Sequence, residues 1–141
     1  MKIFKEYQPR QVLLLPPFLD EFVAENHEVR IISEVVEQIE LSAITNKYVG
    51  GDCPAYDPEM MMKVLVYAYS QKIYSSRWIA QELKTDTAFM YLSAMQYPDF
   101  RTICNFMLEH AREIPKIFVE VVRLCAKLRM VGLGHIAFDG T

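Results

Sequence analysis

Apolar residues recur along this chain at helical spacing, in segments punctuated by capping residues, and this restricts the fold more than any other feature. Val29, Ile32, Val36 and Ile39 form one stripe, with Glu34, Glu37 and Glu40 among the polar positions, so an amphipathic helix with a solvated acidic face is expected. Thr45 to Pro54, with Gly50, Gly51 and Pro54, reads as a loop. Asp57-Pro58-Glu59 then combines an N-cap residue, proline at the first helical position and an acidic first turn. In the helix that follows, Met62, Leu65, Val66 and Tyr69 share one face, and Met60 to Met62 read as adaptable core filler.

Further starts follow at short intervals. Ser75-Ser76 leads into Arg77–Leu83, and Thr85 or Asp86 caps a short helix to about Ser93. Pro98-Asp99 opens a segment from Phe100 to about Glu109, with Phe100, Ile103 and Met107 expected to face inward. Ile114, Ile117, Val121, Leu124 and Leu128 describe a long helix from near Pro115 to about Met130. After Gly132 and Gly134 the pattern changes, and His135-Ile136-Ala137-Phe138 reads as the start of a strand. A lone strand needs partners, so the expected organisation is a mainly α domain over residues 1–131, with a new unit beginning at 132–141.

At 141 residues, 52% hydrophobic and 23% charged, the chain has globular composition and can bury a core without staples. The apolar patch Val12–Leu15 is too short for a signal-peptide core, and no run reaches the roughly 18 residues that a membrane span needs, so a cytoplasmic location is expected. Cys53, Cys104 and Cys125 are odd in number and form no CxxC pair, which suits buried reduced thiols. His27, His110 and His135 match no metal-ligand spacing. The net charge of −3 is unevenly spread: residues 20–59 hold ten acidic and two basic groups, and the later part of the chain is mildly basic. That asymmetry permits nucleic-acid binding by the later part without demanding it.

Three short, tightly connected helices between Ser75 and His110 suit a helix-turn-helix unit. On the last of them Arg101, Thr102 and Asn105 lie off the apolar stripe. Arg and Asn have the donor geometry to read guanine and adenine edges, and Thr can reach a phosphate. Lys72 and Arg77 would sit near the DNA backbone. Periodicity alone, however, fits an ordinary helical bundle better. Asp139, at the end of an apolar strand and before Gly140, is where a metal-binding carboxylate is commonly displayed, although Asp-Gly is also a frequent turn. Two-metal phosphoryl chemistry needs several converging carboxylates, and no other carboxylate here has a clear claim to join it. Phosphate-loop, dinucleotide, zinc-protease and serine-hydrolase motifs are absent from the sequence.

Taken together, PAYDPEMMMKVLVYAYS (Pro54–Ser70), SSRWIAQEL (Ser75–Leu83), DTAFMYLSA (Asp86–Ala94), PDFRTICNF (Pro98–Phe106) and GHIAFDGT (Gly134–Thr141) resemble the InsH-like N-terminal region of bacterial insertion-sequence transposases of the DDE type. Phe18–Ile44 fits the opening of that family too, so the resemblance covers nearly the whole chain. It implies a helical DNA-engaging domain followed by the first strand of an RNase H-like catalytic domain, with the chain cut off just after its first catalytic aspartate. It further implies recognition of double-stranded DNA at inverted-repeat ends and Mg²⁺-dependent cutting and rejoining by full-length relatives. The role of first catalytic and metal-binding carboxylate would fall on Asp139. Arg101, Thr102 and Asn105 would be the DNA contacts, assisted by Lys72 and Arg77. Since one carboxylate cannot hold two metals, the chain alone is expected to be inactive. The other readings it leaves open are a homodimer, a partner that pairs with and inhibits full-length enzyme, and a decayed fragment.

Overall fold

The computed structural model describes residues 3–10, 12, 18–48 and 56–128. The segment 132–141, with its expected strand and Asp139, lies outside the described residues, as does the expected helix end at Met130. A 3₁₀ turn at Leu19–Phe22 precedes α1 (Glu28–Glu37) and the short α2 (Ser42–Thr45), which runs into a second 3₁₀ turn at Asn46–Tyr48. There follow α3 (Pro58–Ser70), α4 (Ser76–Thr85), α5 (Thr87–Ser93), α6 (Phe100–Glu109) and α7 (Glu113–Leu128). Among the described residues the chain is mainly helical and has no strand. No described helix is long and apolar enough to cross a membrane.

The helix starts follow their caps. Asp57 accepts from the Glu59 amide at 2.7 Å with Pro58 at N1, Ser75 accepts from Trp78, and Asp99 accepts from Thr102 at 2.8 Å. Each such cap satisfies an orphan amide and stabilises its helix by about 1 kcal/mol. Asp86 serves two helices at once. Its amide bonds to the Glu82 carbonyl at the end of α4, and its carboxylate accepts from Ala88 and Phe89 at the start of α5. One residue thus makes the whole α4–α5 corner.

α3 departs from expectation. Instead of one apolar face, every residue from Met60 to Ala68 is buried, with α1 and α5 packed on the helix. Met60, Met61 and Met62 are core, as their chemistry suggests. Lys63 is buried in the same helix and is tolerated because its ammonium meets Glu37 at 2.6 Å and Glu59 at 3.7 Å.

Three further expectations are corrected. Thr45–Tyr48, read as loop, forms helical turns: buried Ile44 anchors the segment, and the Leu41 carbonyl accepts from the Ile44 and Thr45 amides. Phe100 does not face inward: Ile103 and Phe106 carry the buried stripe of α6, and Phe100 is half-buried at its first turn. α7 begins at Glu113, ahead of Pro115, because the His110 carbonyl already accepts from the Glu113 and Ile114 amides. Its buried stripe ends on Cys125, with Leu124 and Leu128 only half-buried.

Candidate nucleic-acid interface

α4 packs on α5 and α6, whereas α1 packs on α3, α5 and α7. Of the three helices α4–α6, α5 is therefore the one that joins the acidic helix, and α4 and α6 pack chiefly elsewhere. Ile79 and Leu83 of α4 and Ile103 of α6 are buried, which turns Arg77 and Trp78, and Arg101 and Asn105, outward. Arg77 lies one residue into α4 and Arg101 one residue into α6, and both meet at the same ring. The Arg77 guanidinium sits 3.8 Å from the centroid of Phe100, and that of Arg101 sits 5.8 Å from it.

Cation–π contact of this kind is worth about 0.5–1 kcal/mol at an exposed site. It holds the guanidinium plane while leaving its N–H edges free to donate. Among the described residues neither arginine forms an ion pair, and neither do Lys72 and Lys84. Arg30, Lys47, Lys63 and Arg123, by contrast, are each committed to a carboxylate. Asp99 is the acidic neighbour at the α6 start. Its carboxyl is held below its usual range first by the Thr102 amide and then, more weakly, by Arg101.

The structure thus brings Arg77 and Arg101 together and separates the other predicted contacts. Lys72 lies in the turn after α3, exposed and with a positive φ of 62°, and among the described residues no hydrogen bond or ion pair joins its side chain to the arginines. Thr102 and Asn105 face a different neighbour. Together with Tyr48, Tyr56, Met61, Phe106 and Glu109 they line an open cleft of about 200 Å³ between α6, α3 and the Asn46–Tyr48 turn.

The far wall of that cleft is held from inside. The Tyr48 hydroxyl lies 2.7 Å from His110 Nε2, and His110, fully buried, packs its ring on Phe106 at 4.7 Å. Lys47 donates to the Glu109 carbonyl at 3.2 Å and pairs with Glu113 at 2.7 Å. Burial pushes the Tyr48 phenol up, as does the neighbouring Glu109 carboxylate. Burial pulls the His110 imidazole down and outweighs Glu109 and Glu113, which act the other way. Sequence reasoning missed this joint, because its members are 62 residues apart and a lone histidine carries no spacing signal. Phe100 as an arginine platform was also missed, although the adjacent Arg101 was a local cue.

Among the described residues no group of three His, Cys, Asp or Glu side chains is placed to hold a metal ion. The chain is matched over residues 17–108 by the family model described as Transposase domain (DUF772). It belongs to this transposase family. No match was found among curated proteins or among solved structures. The stretch matched to the transposase domain includes Arg77, Phe100, Arg101 and Asn105, and ends one residue before Glu109.

Proposed function

We infer that this transposase-family chain binds double-stranded DNA at the inverted-repeat ends of a mobile element, as the DNA-engaging part of an InsH-like transposase of the DDE type. In this reading α4, α5 and α6 act as a helix-turn-helix-like unit. α6 enters the major groove with Arg101, Thr102 and Asn105 toward bases or phosphate, and Arg77 and Lys72 contact the backbone. The observation that carries the reading is the convergence of Arg77 and Arg101, both free of carboxylate partners, on Phe100 at adjoining helix starts. Two guanidiniums held with their donor edges free suit a phosphate oxygen.

Asp139 is proposed as a catalytic, Mg²⁺-binding carboxylate at the first strand of an RNase H-like unit. Mg²⁺ there would supply electrophilic stabilisation of phosphoryl transfer. These 141 residues hold one such carboxylate, so the chain by itself is expected not to cut DNA.

The test is fluorescence anisotropy of the purified chain against labelled element ends and a scrambled duplex across a salt series. Preference for the true ends, weakened by salt and by Asn105→Ala, is the expected result. Equal affinity for both duplexes, or none, overturns it. A second reading is favoured by the acidic surface alone: exposed Glu21, Glu25 and Glu34 repel phosphate and suit a protein partner, including full-length transposase. In that case adding the chain to active enzyme would lower transposition.

A further inference from the structure

We propose that the cleft between α6 and the Asn46–Tyr48 turn receives one unpaired base with an exocyclic amine (adenine, cytosine or guanine) from the DNA held against α6. This rests on the DNA-binding reading above and adds a site to it. The first argument is size. About 200 Å³ falls below the roughly 300 Å³ at which pockets for whole small-molecule ligands begin, and it suits a single planar ring system.

The second argument is wall chemistry. Tyr48 and Tyr56 supply aromatic surface and Met61 a polarisable floor, the surroundings in which extruded bases stack. Asn105 can both donate and accept along a base edge, and the Glu109 carboxyl group supplies acceptor oxygens. A carboxylate beside an amide favours the amino-bearing edges of adenine, cytosine and guanine over thymine, whose one donor is its ring N3–H.

The third argument is charge order along α6. Arg101 stands at its start and Glu109 at its end, eight residues or about 12 Å apart, with Asn105 between them. Phosphate is drawn to the arginine end and repelled from the cleft, so what enters the cleft from a bound strand is a base and not backbone. The wall is also pre-organised: Tyr48 is held by buried His110, and its turn is tied down by Lys47. Little ordering therefore remains to be done on binding.

The experiment uses the full chain and a set of labelled element-end duplexes. In each, one nucleotide lies opposite an abasic site, and that unpaired position is moved along the end. At one position, unpaired adenine or cytosine is expected to bind about tenfold more tightly than unpaired thymine, the scale of one stacked and hydrogen-bonded base. Glu109→Ala, at an exposed position whose backbone bond to Lys47 is kept, is expected to abolish that ratio. Binding of the paired duplex with no adenine-over-thymine preference at any position overturns this inference and leaves the DNA reading standing. A preference that survives Glu109→Ala also overturns it, and absence of binding to every duplex sinks both readings.

Discussion

Phe100 shows how periodicity can assign one side chain to the wrong place. Its spacing to Ile103 and Met107 puts it on the inner stripe, yet it is only half-buried at the first turn of α6. It serves instead as the surface on which Arg77 and Arg101 lie. If those arginines contact phosphate, Arg77→Ala and Arg101→Ala should each weaken binding of all duplexes alike and lower the salt slope by about 1. Phe100→Leu keeps apolar volume but removes the negative ring face. It should weaken binding less than either arginine change and leave the salt slope intact, because both charges remain. A salt-series titration of the three variants checks this, and a slope lost in Phe100→Leu would mean that the ring acts on fold and not on guanidinium placement. Arg30 is the contrasting case. It donates to the Ala24, Asp20 and Val23 carbonyls and to the Asp20 carboxylate, so its charge ties the Leu19–Phe22 turn to α1 and is not available to DNA.

At the scale of elements, connections matter as much as helices. Asp86 joins α4 to α5 with no intervening loop, so Asp86→Ala leaves the Ala88 and Phe89 amides without their acceptor. It should cost about 1–2 kcal/mol in urea unfolding, at the upper end of single-cap losses. The exit from α5 is strained in the opposite sense. Ala94 and Met95 both take positive φ, 52° and 65°, where a Cβ costs about 1 kcal/mol or more. Ala94→Gly is therefore expected to raise stability by up to about 1 kcal/mol in the same assay, and a fall would show that the loop is held by contacts of the Ala94 methyl. The helices themselves were legible because caps and periodicity are local: Asp57, Ser75, Asp86 and Asp99 all cap where the residues say they should. What was not legible depends on distant neighbours. α3 looks one-sided until other helices cover its remaining faces. Thr45–Tyr48 looks like loop until Ile44 is buried and Tyr48 finds His110. Of the site, the outward placement of Arg77, Arg101 and Asn105 could be read from helical phase. Their division between an arginine pair and a tyrosine-lined cleft could not, because it depends on how α6 meets α4 on one side and the Asn46–Tyr48 turn on the other.

Across the whole molecule the charges are sorted, and the sorting has a consequence for acid stability. The acidic residues of α1 lie on a helix that packs on α3, α5 and α7, while α4 and α6 pack on each other, so a nearby duplex would feel repulsion from one part of the domain and attraction toward another, which favours one docking orientation. Where α6 turns into α7, charges from several elements converge on His110: Tyr48 and Lys47 from the 3₁₀ turn, Glu109 from α6 and Glu113 from α7. Its imidazole is held below the usual 6.5 mainly by burial, so the unfolded chain takes up the proton first as pH falls. The stability contributed by the neutral ring is then fully present above about pH 6.5 and is lost as pH drops from there toward the lower folded value. Glu113, held below 4.5 chiefly by its bond to Lys47, and Asp99, held below 3.8 by its cap, act in a separate, more acidic window. Their contributions are present above those ordinary values and disappear as pH falls through the depressed ones. Urea midpoints measured from pH 8 to pH 3 should therefore fall in two stages. His110→Phe should lower stability at pH 8, since Tyr48 loses its partner, but should remove the first stage while keeping the second. A wild-type midpoint that stays level between pH 7.5 and 5 would show that the buried imidazole takes up its proton as readily in the folded chain as in the unfolded one.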